Sequence, residues 1–250
     1  MLESFPQPMI FAHRGASAYA PENTLASFAL AIEQGADAIE LDAKISADGH
    51  AIVIHDLTTD RTTGEHGNVQ DMTLAQLRSL DAGSFFSPKF RGEKIPLLEE
   101  VFESFGRRTF INVELSNHDT PDDDLVETVC MLVKRFNLHK RVLFSSFHPR
   151  SLAKARALLP EIPRGLLAND GFRAMIIRSF VFYFGEFQAL HPYLWTTSPQ
   201  QIRRVHRMKR RVHVYTVNEE PTLRKIFRWG VDGVFTDDPP LALRVRGATK

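Results

Sequence analysis

Short apolar runs alternate with helical patterns along almost the whole chain, and this alternation limits the fold more than any other feature. Met9–Ala12 reads as a first strand. Leu25, Phe28, Ala29 and Ile32 then follow the i, i+3, i+4, i+7 spacing of an amphipathic helix, with Asn23 as its expected cap and Gly35 as its stop. Ala38–Ile45 reads as a second strand, and Asp48-Gly49 turns the chain back through a short strand at 51–54. Residues 57–94 mix turn formers with shorter apolar pieces and form an excursion. The alternation resumes with a helix at 97–105, a strand at 109–115 and a helix at 122–136, for which Thr120 is the expected cap and Pro121 the first residue. Further strands are expected at 142–147, 164–167, 187–190, 212–217 and 233–236, with helices between them that include 199–209 and 221–229. Eight strand–helix units in 250 residues predict an α/β fold, a (β/α)8 TIM barrel with a small insertion after the second strand unit. The competing architecture is a doubly wound open sheet, and no Gly-rich phosphate loop supports it.

Composition narrows the possibilities further. Apolar residues make up 43% of the chain, enough for a sizeable core, and residues 1–250 are expected to form one domain. A formal charge of +1 argues against a dedicated nucleic-acid binder. The single cysteine, Cys130, excludes an internal disulfide and a thiolate-only metal site. It falls in an apolar pattern with Val126, Val129 and Val133, so it reads as a buried helical thiol. The most apolar stretch, 174–184, is broken by Arg178 and is shorter than the ~20 residues a bilayer requires, so no stable membrane insertion is expected. No basic region followed by an apolar run marks a secretory signal, and a cytoplasmic location is expected.

In a barrel, chemistry gathers at the C-terminal ends of the strands. Those positions carry His13-Arg14-Gly15, Glu40 and Asp42, His55-Asp56, Glu114 and Thr236-Asp237. Glu40 and Asp42 are two apart on a strand and share a face, while Ile39, Leu41 and Ala43 point toward covering helices. Adjacent carboxylates repel unless something neutralises them, and Glu114 on the next barrel strand makes three. Three acidic groups on two rigid strands suit one hard divalent cation, Mg²⁺ or Ca²⁺. A buried ion pair of Glu40 or Asp42 with Arg14 or Lys44 is the alternative. His13 and His55 are candidates for proton transfer, and no zinc-type histidine spacing is present. Arg14 offers a planar cationic fork suited to phosphate oxygens.

His13-Arg14-Gly15, Pro21-Glu22-Asn23-Thr24, Glu40-Leu41-Asp42, Asp48-Gly49 and His55-Asp56 occur in an order that resembles the glycerophosphodiester phosphodiesterase family. Asn112-Val113-Glu114, Thr216-Val217-Asn218 and Gly230-Val231-Asp232-Gly233 with Thr236-Asp237 extend the resemblance from residue 9 to about 241. It implies a barrel with an insertion at 57–94, a metal on Glu40, Asp42 and Glu114, an acid–base pair of His13 and His55, and Arg14 on the phosphate. The implied reaction releases sn-glycerol 3-phosphate and an alcohol from a small glycerophosphodiester. Two positions depart from the pattern. Ser116 stands where many relatives have lysine, and Tyr215 where many have tryptophan. Lys44, otherwise expected to be solvated, or Arg150 is available to meet the phosphate instead.

Two other functions stay open at this level. One is a lysophospholipase D-like phosphodiesterase with an apolar groove near 175–184. The other is a phosphate-binding barrel that has lost catalysis. The basic run at 203–211 reads as the solvated face of a helix whose buried side is Ile202, Val205 and Met208. The apolar segment 175–184 is expected to pack on the barrel, and part of it could serve as a lip over the mouth or as the surface of a homo-oligomer.

Overall fold

The computed structural model describes residues 7–117, 120 and 123–248, apart from the side chain of residue 173. Eight parallel strands form a closed barrel: β1 (Met9–Ala12), β2 (Ala38–Ile45), β4 (Phe110–Leu115), β5 (Val142–Ser146), β6 (Arg164–Ala168), β7 (Ala189–Pro192), β8 (Arg211–Val214) and β9 (Gly233–Thr236). Parallel pairing of β1 with both β9 and β2 closes the ring. The short β3 (Ala51–Val53) pairs antiparallel with β2 and lies outside it. Barrel helices follow in turn: α1 (Leu25–Glu33), α4 (Leu98–Phe105), α5 (Leu125–Arg135), α6 (Pro149–Leu158), the 171–184 segment, α9 (Pro199–Arg207), α10 (Glu220–Arg228) and α11 (Pro239–Gly247). The segment 171–184 runs as α7 (Gly171–Ile176), a π turn (Ile177–Val181) and α8 (Phe182–Phe184). The (β/α)8 expectation holds. No helix among the described residues is long and apolar enough to cross a membrane.

Period-two alternation sorts the strand residues. Ile39, Leu41 and Ala43 point outward into one large cluster with Phe28, Phe102 and other helix residues. Met9, Phe11, Leu143 and Phe235 fill the barrel interior, with the Phe11 and Phe235 rings stacked 4.6 Å apart. Replacing a fully buried ring such as Phe28 by alanine costs about 3–5 kcal/mol in such cores. The insertion carries α2 (Asp60–Thr63) and α3 (Leu74–Ser79). It holds together through its own cluster of Ile52, Ile54, Val69, Leu77, Ala82 and Ile95.

Several boundaries differ from the sequence reading for local reasons. Thr24, not Asn23, caps α1: its hydroxyl accepts from the Ser27 amide, and the Ser27 hydroxyl reaches back to the Thr24 amide. Asn23 instead takes a left-handed backbone, φ +56°, which asparagine tolerates, and turns its amide inward. Helix α5 begins at Leu125; Thr120 bonds the Asp123 side chain, and Pro121 and Asp122 lie outside the described residues. Strand β7 starts two residues later than expected, and Phe187 just before it stacks on Phe182 of α8. Cys130 is buried, and that burial pushes its thiol up to about 12.

Candidate active site

The C-terminal ends of the strands surround a cavity of about 730 Å³, and His13, Arg14, Glu40, Asp42, His55 and Glu114 all line it. Six side chains singled out from sequence therefore meet in one place.

Asp42 and Glu114 are register partners on β2 and β4, and Glu40 lies two residues before Asp42 on the same face. One oxygen from each of the three carboxyl groups lies within 4.8 Å of the others. Burial raises Glu40 well above the usual carboxylate range, and repulsion from Asp42 and Glu114 raises it further. Glu114 is pushed up to about 8 by burial and by Asp42, despite help from the Ser116 hydroxyl, Arg14 and Lys44. Burial also works against ionised Asp42, but Arg14, the two histidines and the Asn23 amide outweigh it and hold this carboxyl low. The cluster is thus short of positive charge, and its donors are all hard oxygens. That donor set fits Mg²⁺ or Ca²⁺ and gives a softer ion nothing to prefer.

Arg14 sits between the cluster and a second layer. Its backbone amide donates to Glu40 at 2.9 Å, and Nη1 donates to Glu22 at 2.9 Å. Nε lies 3.3 Å from Asp42 Oδ2, an ion pair that lacks hydrogen-bond alignment and leaves this buried N–H without a partner. The left-handed turn at Arg14 continues through Gly15, φ +86°, where a Cβ would come within 2.3 Å of Ser27 Oγ. Only glycine lets the loop press this closely on α1.

Each histidine leans on a carboxylate. His13 Nδ1 is 2.7 Å from Asp237, which Ser17 and Asn218 also hold. His55 Nδ1 is 2.6 Å from Asp56. Burial opposes the charge on Asp56, but Arg61 and His55 hold it down at about 2. An Nδ1–H donated to a carboxylate leaves Nε2 as the basic nitrogen. Arg61, on α2 of the insertion, clamps Glu22 with both Nη atoms and Asp56 through Nε. One exposed arginine thereby braces the partners of both Arg14 and His55.

Lys44 is buried, contrary to the expectation that it is solvated. It follows Glu40 and Asp42 on the inward face of β2, and its Nζ donates to the Ser116 carbonyl at 3.0 Å. The Ser116 hydroxyl donates to Glu114 at 3.1 Å. Arg150 is exposed and lies outside the cavity lining. Leu57, Phe147, Leu167, Tyr193, Tyr215 and Phe235 supply the apolar side of the cavity. The Asp237 and Asp56 braces were visible as acidic residues at strand ends, without a role. Nothing in the sequence pattern pointed to Arg61.

The fold and the chemistry at its mouth define a barrel enzyme, and comparison with known proteins specifies which. Residues 13–241 match the glycerophosphoryl diester phosphodiesterase family. A glycerophosphodiester phosphodiesterase of Caldanaerobacter subterraneus subsp. tengcongensis is 38% identical over 235 residues, covering 92% of this chain and 94% of the relative. An Oleispira antarctica phosphodiesterase, solved in complex with the product sn-glycerol-3-phosphate, superposes with a TM-score of 0.86 at 31% identity, covering 96% of this chain and 97% of that one. A glycerophosphodiester phosphodiesterase from Agrobacterium tumefaciens gives a TM-score of 0.80 at 30% identity, over 94% and 99% of the two chains. The chain belongs to the glycerophosphoryl diester phosphodiesterase family, whose members are phosphoric diester hydrolases.

Proposed function

We propose that this chain hydrolyses small glycerophosphodiesters to sn-glycerol 3-phosphate and an alcohol, using one divalent cation, Mg²⁺ or Ca²⁺, at Glu40, Asp42 and Glu114. The observation that carries the reading is the convergence of three undercompensated carboxyl groups beside Arg14 and two braced histidines in one cavity. The product bound in the Oleispira relative supports the glycerol 3-phosphate half of it. A cation at the three carboxylates supplies a Lewis acid for phosphoryl oxygens.

The chain's own groups do the rest. Arg14, which lines the cavity, binds a phosphate oxygen through its guanidinium, and the Lys44 ammonium adds charge from the β2 side. Of His13 and His55, one takes a proton at Nε2 from the attacking water, or from a substrate hydroxyl whose cyclic product water then opens. The other gives one to the departing alkoxide as its bond to phosphorus breaks. Asp237 and Asp56 fix the tautomers and stabilise whichever ring is charged. The polar wall holds the phosphate, while Leu57, Phe147 and the two tyrosines keep water from the rest of the substrate.

Residues 171–184 contribute nothing to the described lining of the cavity, which favours a small diester over a lysophospholipid chain lying in a groove there. The test is to incubate the purified protein with glycerophosphocholine, glycerophosphoethanolamine and a lysophospholipid, with Mg²⁺, Ca²⁺ or chelator, and to identify the products. Cation-dependent release of sn-glycerol 3-phosphate is expected. Turnover confined to the lysophospholipid would select the lysophospholipase D-like reading, and tight binding without turnover would select a barrel that has lost catalysis.

A further inference from the structure

The helical segment 171–184 is apolar on two opposite sides. Ala174 and Phe182 are buried, and Ile177, Val181 and Tyr183 pack on the barrel core. On the other side Phe172, Met175, Ile176, Phe180 and Phe184 face outward, with Phe172 72%, Phe180 61% and Phe184 86% exposed. A helix with apolar residues on both sides belongs inside a core or in lipid, and none of the described residues covers the second side. The Phe180 and Phe184 rings stack 6.5 Å apart, so the outer side presents a continuous aromatic stripe.

The flanking charge is one-sided. Residues 171–184 and 199–211 contain no Asp or Glu, and the second stretch alone holds six Arg and Lys in a chain whose formal charge is +1. Helix α9 lies against the segment, with the Arg204 guanidinium 4.5 Å from the Tyr183 ring centre, and Arg203, Arg204 and Arg207 are exposed. The bordering carboxylates leave most of this charge free. Glu186 pairs with Arg156, Asp232 takes up Arg211 and His206 at the barrel end of the stretch, and Asp170 is exposed just before residue 171. Arg203, Arg204 and Arg207 keep their charge toward solvent. The segment is tied to the residues before it, where Arg178 Nη1 donates to the Asn169 carbonyl at 3.1 Å. Asn169, which lines the cavity, lies three residues before Phe172, and Trp195, 74% exposed, lies two residues after Tyr193 of the cavity wall.

We propose that the outer side of 171–184, together with the arginines of α9, is a docking surface for an anionic lipid bilayer. The aromatics would insert at the headgroup boundary and the arginines would pair with lipid phosphates, as interfacial helices do without spanning the membrane. A second copy of this chain is a poor occupant, because an isologous contact would bring Arg203, Arg204 and Arg207 of both copies to the same face, where cations outnumber the bordering carboxylates. A nucleic acid would satisfy the arginines and leave Met175, Ile176 and the phenylalanine stripe unused. This surface is independent of the cation and histidine roles proposed above.

The test is sedimentation of the full chain with vesicles of phosphatidylcholine alone or mixed with phosphatidylglycerol, at low and high salt. The wild-type chain is expected to sediment with the anionic vesicles and to leave them as salt rises. The double variant Phe180→Glu, Phe184→Glu should partition at least about tenfold more weakly. The variant Arg203→Glu, Arg207→Glu should lose mainly the anionic preference. Both should turn over soluble glycerophosphocholine at the wild-type rate, which also reports that they fold. Failure of the wild-type chain to bind either vesicle, or equal binding by all three proteins, would overturn the proposal. So would a dimer in solution that the phenylalanine variant dissociates, or retention of nucleic acid in place of vesicles.

Discussion

Lys44 and Ser116 are joined by a hydrogen bond from the lysine Nζ to the serine carbonyl oxygen, 3.0 Å long, across the neighbouring strands β2 and β4. The chain that has a neutral serine two residues after Glu114 thus brings an ammonium to the same place from the adjacent strand. Lys44 and Ser116 both line the cavity on the side of Glu114, so the ammonium is available there to a bound anion.

The first prediction follows directly. Lys44→Met should raise KM for glycerophosphocholine about tenfold or more, the scale of one charge-assisted hydrogen bond, with a smaller effect on kcat. Ser116→Lys should fail to lower KM, because a second ammonium would meet the first. Steady-state kinetics of the two variants decide the matter, and a Ser116→Lys enzyme with a clearly lower KM would show that Lys44 does not serve the phosphate.

Arg61 gives the second. It touches Glu22 and Asp56 but lines no part of the cavity, so its effect must pass through Arg14 and His55. Arg61→Met should lower kcat about tenfold through misplacement of those two groups, while the circular dichroism spectrum stays unchanged. Arg61→Lys should recover only part of the loss, since an ammonium cannot make the bidentate contact with Glu22 and still reach Asp56. Wild-type kcat in the methionine variant would make the clamp ornamental.

The third concerns the cation and is read without turnover. Relief of repulsion among Glu40, Asp42 and Glu114 should stabilise the native state, so Mg²⁺ or Ca²⁺ should raise Tm of the chelator-treated protein. Glu114→Gln removes one donor and part of the repulsion. It should raise Tm without cation and shrink the cation-dependent rise. A Tm that ignores both cations in the wild-type chain would remove the metal from the site.

The histidine roles supply the fourth. His13→Ala and His55→Ala should each lower kcat at least about 100-fold, the usual range for a general acid or base. Asp237→Asn should imitate His13→Ala in part, because the ring loses the partner that selects its tautomer. A diester with a p-nitrophenol leaving group needs no protonation and should rescue whichever variant lacks the acid. Near-normal kcat in both alanine variants would end the assignment.

How legible all this was depends on the kind of signal. Strands β1, β2 and β9 match the sequence reading at both ends, because β1 and β9 are short apolar runs and β2 alternates strictly between apolar and charged residues from Ile39 to Ile45. The six lining residues were legible because strand ends and same-face spacing put chemistry where the fold needs it. Lys44 carried the same signal: it is two residues beyond Asp42, so alternation already turned it inward, and the general habit of lysine to be solvated was the weaker guide. Asn23 looked like a cap because its type favours caps, yet that type also tolerates the left-handed turn that sends it to Asp42. Arg61 was out of reach, since its partners lie in other loops and only the folded insertion brings them to it.

The last prediction comes from the barrel floor. His191 and His213 face each other inside the barrel, with His213 Nδ1 3.1 Å from His191 Nε2 and both rings buried beside Phe235 or Phe11. The backbone closes on them as well, for a Cβ at Gly165 would come within 2.3 Å of the His191 ring. Burial lowers both histidines below their ordinary value, His213 to about 4, and a charge on His213 would further disfavour one on His191. Between about 4 and 6.5 the unfolded chain therefore binds protons that the native chain refuses. The stability this pair contributes is whole above pH 6.5 and is lost as pH falls toward 4. Glu40 and Glu114, raised by burial, take up protons and stabilise the native state over the same range, in the wild-type chain and in His213→Gln alike. The histidine contribution is therefore read as a difference: Tm of the wild-type chain relative to His213→Gln should fall between pH 7 and pH 5, while His213→Gln costs some stability at pH 7. Gly165→Ala should destabilise at every pH by about 1–3 kcal/mol through overpacking against His191. Thermal melts of the three proteins across this range check the assignment, and a His213→Gln curve as steep as the wild-type one would place the acid sensitivity elsewhere.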